Sequence, residues 1–179
     1  MTPKPPSADL PRCPWAEGDA AMEKYHDEEW GNPVEKDAAH FERLSLEVFQ
    51  AGLSWRTILH KRAAFRKAFA RFSPKKVAAF TGRDVRRLLG DAGIVRHRGK
   101  IEATIENAGR FLELSKEHGG FARYLGSLPG DLPALRRVFR AEFRFMGPKI
   151  AESYFESVGK IPPPHHPRCW RARAGKRRA

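Results

Sequence analysis

The chain has 179 residues, 41% of them apolar and 31% charged, so it is long enough for one globular domain with a sizeable core. Its net charge of +13 points to a polyanionic partner such as nucleic acid. The sequence has no apolar run near the ~20 residues that cross a bilayer, no signal peptide, and only two distant cysteines, which make no disulfide framework. We therefore expect a cytoplasmic, monomeric protein without membrane contact.

The predicted elements are all helices, in a single domain over residues 13–170. A proline-rich leader at 1–12 and a basic tail at 171–179 are expected to be disordered. From apolar spacing and cap residues, helices are predicted at about 19–29, 37–51, 54–71, 74–80, 82–90, 98–117, 121–126 and 132–142, with a last helix after Gly147-Pro148.

The helix at 37–51 carries a carboxylate at the edge of its apolar face. Phe41, Leu44 and Val48 follow helical spacing, and Glu47 lies about 60° from Leu44 around the axis. A carboxylate drawn toward the interior must be paired or left partly wet in a cleft. The pattern is compatible with a pocket residue and with a boundary glutamate that forms a salt bridge with an arginine.

A tight corner follows this helix. Gly52 is placed to end it, and Ser54 is placed to cap a next helix that begins at Trp55. Glu47 and Trp55 can then face one cavity from either side of the corner, with Leu53 on the loop between. The alternative is that Trp55 is an ordinary core residue.

A second corner is predicted at Gly147-Pro148. Proline is tolerated in the first turn of a helix, whose free N–H groups, together with Lys149, can bind an anion such as a DNA phosphate. An ordinary helix–helix corner has the same pattern. The glycine-bearing stretch 91–100, with its basic residues, likewise could hold phosphate or dock helices.

Several motifs resemble one known family. The segment LEVFQAGLSW (46–55) resembles the L-E-x-x-Q-A-G-L-S-W motif of the bacterial DNA-3-methyladenine glycosylase I family, in the helix-hairpin-helix superfamily. Further similar motifs are RCPW (12–15), YHDEEWG (25–31) and DAGIVRHRGKI (91–101). The resemblance covers about residues 12–170. It implies an all-α helix-hairpin-helix glycosylase fold that removes 3-methyladenine from double-stranded DNA without lyase chemistry.

The resemblance also assigns roles. It makes Glu47 the residue that hydrogen-bonds the excised base and Trp55 the one that stacks on it. Trp15, Tyr25 and Trp30 become the aromatic pocket or its neighbours. Met22 stands where the best-known members carry a tyrosine, so it keeps the apolar contact but loses the hydroxyl.

For DNA contact, Gly52 and Leu53 form the loop expected to enter the duplex, with Leu53 as the plug for the gap in the base stack. The stretch 143–158, which contains Gly147 and Lys149, resembles the second half of a helix-hairpin-helix motif, although Phe145 stands where the first glycine is usual.

The zinc-binding members end with H-x-x-x-C, which His165 and Cys169 reproduce. With Cys13 and His26 they would make a structural two-Cys, two-His zinc site that cross-links the N-terminal segment to the tail. His166 is a rival ligand. Taken alone, without His165 and Cys169, the cysteine and histidine near the N-terminus are better explained as a buried thiol and a capping imidazole.

The chemistry implied is electrostatic. A base methylated at N3 is cationic and leaves easily, so aromatic faces and one carboxylate suit it better than they suit neutral adenine. Two other functions fit the sequence: a non-catalytic binder of damaged or abasic DNA, and a zinc-stapled structural protein that uses its basic surface on RNA.

Overall fold

The computed structural model describes residues 10–172, and within this range the regular secondary structure is helical, with no strand. The helices are α1 Ala20–Glu28, α2 Asp37–Gln50, α3 Trp55–His60, α4 Arg62–Ala68, α5 Pro74–Ala78, α6 Gly82–Gly90, α7 Arg98–His118, α8 Phe121–Ser127, α9 Leu132–Glu142 and α10 Pro148–Ser157. The predicted all-α class is confirmed. No helix in the described part of the chain is long and apolar enough to cross a membrane.

Helix α2 lies at the centre of the domain. It packs against α7 and α10, and every residue from 40 to 49 is buried, whichever way it points. The sequence predicts only one apolar stripe on this helix. The structure buries its full circumference because neighbouring helices surround it, and its polar side chains therefore need internal partners.

Most helices begin and end near the residues that the local sequence signals predict. Gly52 has a φ of +81° just after α2, and the Ser54 side chain accepts a hydrogen bond from the Thr57 N–H at 3.2 Å. Asp131 accepts one from the Ala134 N–H at 2.9 Å at the start of α9. These caps satisfy backbone groups that a helix end leaves free.

The continuous helix predicted at 54–71 is wrong. The segment forms two short helices, α3 and α4, followed by a left-handed turn in which Ala70, Arg71 and Phe72 have φ of 50°, 55° and 53°. The turn brings the rings of Phe69 and Phe72 into a parallel stack, with centroids 5.6 Å apart and both side chains fully buried. Burial of two phenyl rings in the core thus overrides the helical propensity of the segment.

The two ends of the described chain meet. The Trp170 N–H donates to the Pro11 carbonyl at 2.9 Å, and Arg12 Nε donates to Asp27 at 2.9 Å. Arg171 donates to the carbonyls of His26 and Trp30 from a helical turn at 170–172. Residues 1–9 of the predicted leader and 173–179 of the predicted tail lie outside the described residues.

Candidate functional site

A cavity of about 560 Å³ opens between α1, α2, α3 and α10, within the size range of small-molecule sites. All six residues predicted for a pocket line it: Met22, Tyr25, Trp15, Trp30, Glu47 and Trp55. Four further residues line the wall and were not predicted: Gln50, Arg56, Ser153 and Glu156, with Ser54 at the corner. The structure thus brings together residues from both halves of the chain.

Glu47 is the exception among the buried polar side chains of α2. His40 bonds Tyr154 and the Val34 carbonyl, and Ser45 donates to a carbonyl one turn back. Glu42 is bound by two arginines, and Arg43 donates to the carbonyls of Glu29 and Ser157. Glu47, only 5% exposed, has no hydrogen-bond or ion-pair partner among residues 10–172. A boundary salt bridge is therefore not what the structure contains.

The environment of Glu47 favours its neutral form. Burial, and then the nearby carboxylate of Glu156, raise the pKa of Glu47 to about 8, and Arg43 offsets this only in part. Tyr25 is buried as well, and its burial, followed by the negative charge of Glu47, raises the pKa of Tyr25 well above its ordinary value. An unpaired buried carboxylate in a cavity is a common sign of a functional site.

The aromatic residues that line the cavity pack against one another, and the rings of Trp15 and Tyr25, 6.4 Å apart, link two closer pairs. Tyr25 and Trp55 lie with ring centroids 5.0 Å apart at 48°, and Trp15 meets Trp30 edge-on at 5.0 Å. The indole N–H of Trp55 is buried and has no acceptor within the described residues. Such walls offer π faces to a flat ligand, and an acceptor on that ligand would relieve the unpaired N–H.

A smaller hollow of about 240 Å³ adjoins the cavity and contains the predicted DNA-contact residues Gly52, Leu53 and Lys149. It shares Glu47, Gln50 and Ser153 with the larger cavity. The Leu53 side chain is 42% exposed. Behind the loop, Lys100 donates to the carbonyls of Phe49 and Ala51 at the end of α2, so the base of the loop is held while its tip is free.

The corner between α9 and α10 is rigidly built. The side chain of Asn107 on α7 bonds both the N–H and the carbonyl of Arg144, at 2.7 and 3.0 Å. Phe145 adopts a φ of +56°, a left-handed conformation that glycine usually supplies, and its side chain is exposed. Gly147 precedes α10 and, unlike Lys149, does not line the hollow.

Four predicted metal ligands lie together at the meeting point of the chain ends. The candidate ligand atoms of Cys13, His26, His165 and Cys169 are all within 4.8 Å of one another. Sulfur–nitrogen distances are 3.6 Å from Cys13 to His165, and 3.4 and 3.8 Å from Cys169 to His26 and His165. In a tetrahedral zinc site, bonds of about 2.3 Å to sulfur and about 2.05 Å to nitrogen place a sulfur ligand and a nitrogen ligand about 3.6 Å apart. The three sulfur–nitrogen distances are close to this value, so these donors fit zinc.

The neighbours of this cluster fit metal binding too. His26 Nδ1 lies 2.7 Å from Asp27, which leaves its Nε2 directed to Cys169. His166 is not among the grouped ligands. Its backbone N–H donates to the Cys13 sulfur at 3.3 Å, while its ring accepts from the Arg168 N–H.

The Cys/His cluster and the cavity share a wall. The rings of Trp30 and His165 are 4.8 Å apart, and Trp15 meets His26 at 5.4 Å. Cys13, Met22, Tyr25, Trp30, Leu59 and Cys169 form one small apolar cluster, separate from the main core. Anything that orders the four ligands therefore also orders the aromatic side of the cavity.

Comparison with known proteins agrees with this geometry. Residues 15–138 match the family model of methyladenine glycosylase. The chain is 37% identical to DNA-3-methyladenine glycosylase 1 of Escherichia coli K12, over 85% of this chain and 92% of that protein. It is 40% identical to DNA-3-methyladenine glycosylase of Haemophilus influenzae, over 84% and 92%.

The chain belongs to the methyladenine glycosylase family. Solved structures of 3-methyladenine DNA glycosylase I share its fold. One crystal structure has a TM-score of 0.80 at 35% identity and covers 89% of this chain and 98% of that one. The Staphylococcus aureus enzyme, studied for its recognition of 3-methyladenine, has a TM-score of 0.77 at 32% identity and covers 84% and 91%.

Proposed function

We propose that this member of the methyladenine glycosylase family is a base-excision repair enzyme that hydrolyses the N-glycosidic bond of 3-methyladenine in alkylated double-stranded DNA. One observation carries the proposal: a buried carboxylate without a partner faces an aromatic cavity of the right size for a base. The curated relatives are named for this activity, and one related structure is a complex with 3-methyladenine.

Base recognition rests on charge. Methylation at N3 places a positive charge on adenine while it is still attached to the sugar. The π faces of Tyr25, Trp55 and their neighbours attract such a cation, and the Glu47 carboxylate, once ionised, balances its charge. Neutral adenine gains neither contribution in full. Met22 supplies an apolar contact at the wall, where it is buried.

The chemical step then needs little acid catalysis. Water attacks C1′ of the flipped nucleotide, the bond from C1′ to the base breaks, and its electrons neutralise the departing base. The sugar gains the hydroxyl group, and a proton passes to solvent. No lysine lines the base cavity within the described chain, which supports hydrolysis without a covalent lyase intermediate.

DNA contact is assigned to the two loops beside the cavity. Leu53, exposed beyond Gly52, is the residue that fills the gap left by the flipped base. The α9–α10 corner acts as a helix-hairpin-helix, in which free N–H groups after Gly147 and the ammonium group of Lys149 bind a backbone phosphate. The side chain of Lys149 is 80% exposed, as a phosphate ligand requires.

Zinc is the cofactor we propose for the Cys/His cluster. Cys13, His26, His165 and Cys169 would hold it, and the ion would supply structural cross-linking with no open position for catalysis. Because the cluster shares its wall with Trp15 and Trp30, the residues it orders include part of the base pocket. The protein is further expected to work as a cytoplasmic monomer with one domain at 13–170.

The proposal is tested by measuring release of bases from methylated duplex DNA, separated by chromatography. Wild type should release 3-methyladenine without cutting the strand, and Glu47→Gln should release it at least about tenfold more slowly because an amide cannot balance the cation. Glu113→Gln, at an exposed carboxylate paired with Arg110 on α7, is the matched control and should match wild type.

Two results would contradict the proposal. Equal excision by wild type and Glu47→Gln would remove the role assigned to Glu47. Tight binding to abasic DNA by a folded, zinc-loaded protein that releases no base would support the alternative function, a non-catalytic binder of damaged DNA.

A further inference from the structure

A second carboxylate, on α10, lines the same cavity as Glu47. Glu156 on α10 lines the cavity with Ser153, one turn earlier, and Lys149 lies a further turn back on the adjoining hollow. The three residues follow helical spacing and so occupy one face of α10. The side chain of Glu156 is half-buried and forms no hydrogen bond or ion pair within residues 10–172.

The two cavity carboxylates interact with each other. Glu156 is the charged neighbour that acts most strongly on Glu47, and no cation within salt-bridge distance neutralises either group in the described chain. The other charged or titratable groups around them are Arg43 of α2, Tyr25 of α1, Glu29 beyond α1, Arg56 of α3, and Lys149 and Glu152 of α10.

These neighbours are engaged elsewhere. Arg43 is bound to backbone carbonyls and to Glu29, and Arg56 lies 3.4 Å from Asp19. Lys149 bonds Glu152 at 3.3 Å. The cavity therefore holds two unpaired carboxylates, one of them almost fully buried, between aromatic faces. Protonation of Glu47 relieves the repulsion in the free protein, whereas a bound positive charge would stabilise the ionised form of both groups.

We propose that Glu156 is a specificity-determining residue that, together with Glu47, makes the cavity selective for cationic bases. This inference rests on the proposed function, since it takes the cavity to be the base pocket. Glu47 on α2 and Glu156 on α10 both line the cavity, so a cationic purine held there is attracted by both charges, whereas a neutral purine of the same shape is not. The class of ligand is a purine that carries a permanent positive charge.

The pair also gives the selectivity a pH dependence. Burial raises the pKa of Glu156, and burial together with Glu156 raises the pKa of Glu47 to about 8. With a pKa of about 8, Glu47 is mostly protonated near pH 6.5 and mostly ionised at pH 9, so the attraction of the cavity for a cation is stronger at pH 9. Loss of Glu156 lowers the pKa of Glu47 and removes the second charge.

The test compares binding of two small probes followed by tryptophan fluorescence. One is the 3,9-dimethyladeninium cation, whose charge is the same at both pH values, and the other is neutral 9-methyladenine. At pH 9, Glu156→Gln should weaken cation binding on the order of tenfold and change binding of the neutral probe less than about twofold. At pH 6.5 the loss of cation affinity should be smaller.

Two further variants make the comparison specific. Glu156→Asp keeps the charge and should retain most of the preference for the cation. Glu113→Gln removes an exposed carboxylate on α7 that is paired with Arg110 at 2.7 Å and does not line the cavity, so it should leave both affinities unchanged. Far-ultraviolet circular dichroism and zinc content establish that each variant is folded.

The outcomes separate this inference from the proposed function. If Glu156→Gln lost affinity for both probes equally, or lost affinity for neither, the role of Glu156 would be overturned even if wild type excises 3-methyladenine. Failure of wild type to excise any base would overturn the proposed function. A tenfold loss confined to the cation would still establish the charge selectivity of the cavity.

Discussion

Glu47→Gln should change how the stability of the free protein depends on pH. Burial and Glu156 raise the pKa of Glu47 from an ordinary 4.5 to about 8 in the folded protein. Between these values the folded protein keeps a proton that the unfolded chain has lost. The free energy of unfolding of wild type therefore falls as the pH rises through this window.

The size of the effect follows from linkage. One proton held only by the folded state changes the free energy of unfolding by about 1.4 kcal/mol per pH unit. Wild type should thus lose about 2.5 kcal/mol from this group between pH 5.5 and pH 7.5. A glutamine does not titrate, so the variant lacks this loss and gains on wild type as the pH rises.

The assay is urea unfolding of both proteins, followed by tryptophan fluorescence at three pH values from 5.5 to 7.5. Subtracting the free energy of unfolding of wild type from that of the variant cancels the titrations that the two proteins share, including those of the Cys/His cluster. Glu113→Gln, whose carboxylate is exposed, serves as the control and should show a constant difference from wild type. A difference for Glu47→Gln that is equally constant across the range would refute the reasoning.

Three other changes have expected outcomes. His165→Ala should abolish binding of one zinc per chain and lower the melting temperature, whereas His166→Ala should keep the metal, as metal analysis would reveal. Leu53→Ala should slow excision from duplex DNA about tenfold or more without changing the affinity for 3,9-dimethyladeninium, because Leu53 lines only the outer hollow. Lys100→Met should lower the free energy of unfolding by about 1–3 kcal/mol, measured in urea, since two carbonyls at the end of α2 lose their donor.

Each of these has an outcome that would contradict it. Full zinc content in His165→Ala would remove that residue from the ligand set. A parallel loss of small-probe affinity in Leu53→Ala would mean that the change reaches the base cavity. Lys116→Met, at an exposed position on the same helix as Lys100, should alter stability by less than about 0.5 kcal/mol, and an equal effect of both changes would contradict the capping role.

Much of the site was predictable because its signals are local or lie in recognisable motifs. The corner after α2 could be predicted from Gly52 and Ser54, since a positive φ and an N-cap each depend on one residue type. Motif resemblance placed the Cys/His set and the pocket residues. The choice of His165 over His166 as a ligand rested on spacing alone, and the structure groups His165 with the other three candidate ligands.

What the sequence could not determine depends on contacts between distant segments. Helical propensity gave no warning that the segment 54–71 would break, because the left-handed turn is stabilised by burial of Phe69 and Phe72. Nor does any local pattern distinguish Glu156 from Glu152, the other glutamate of α10. Its place in the cavity follows from the packing of α10 on α2, over a hundred residues earlier in the chain.

The same division applies to Glu47. By itself the sequence determined that a carboxylate stands at the edge of a buried helix face, since that depends only on helical spacing. Only the tertiary structure decided that it has no partner, because Arg43, the nearest cation on its helix, is taken by carbonyls of two other segments. The sequence determines which side chains can carry a charge, but the segments that fold against a side chain determine whether its charge is compensated.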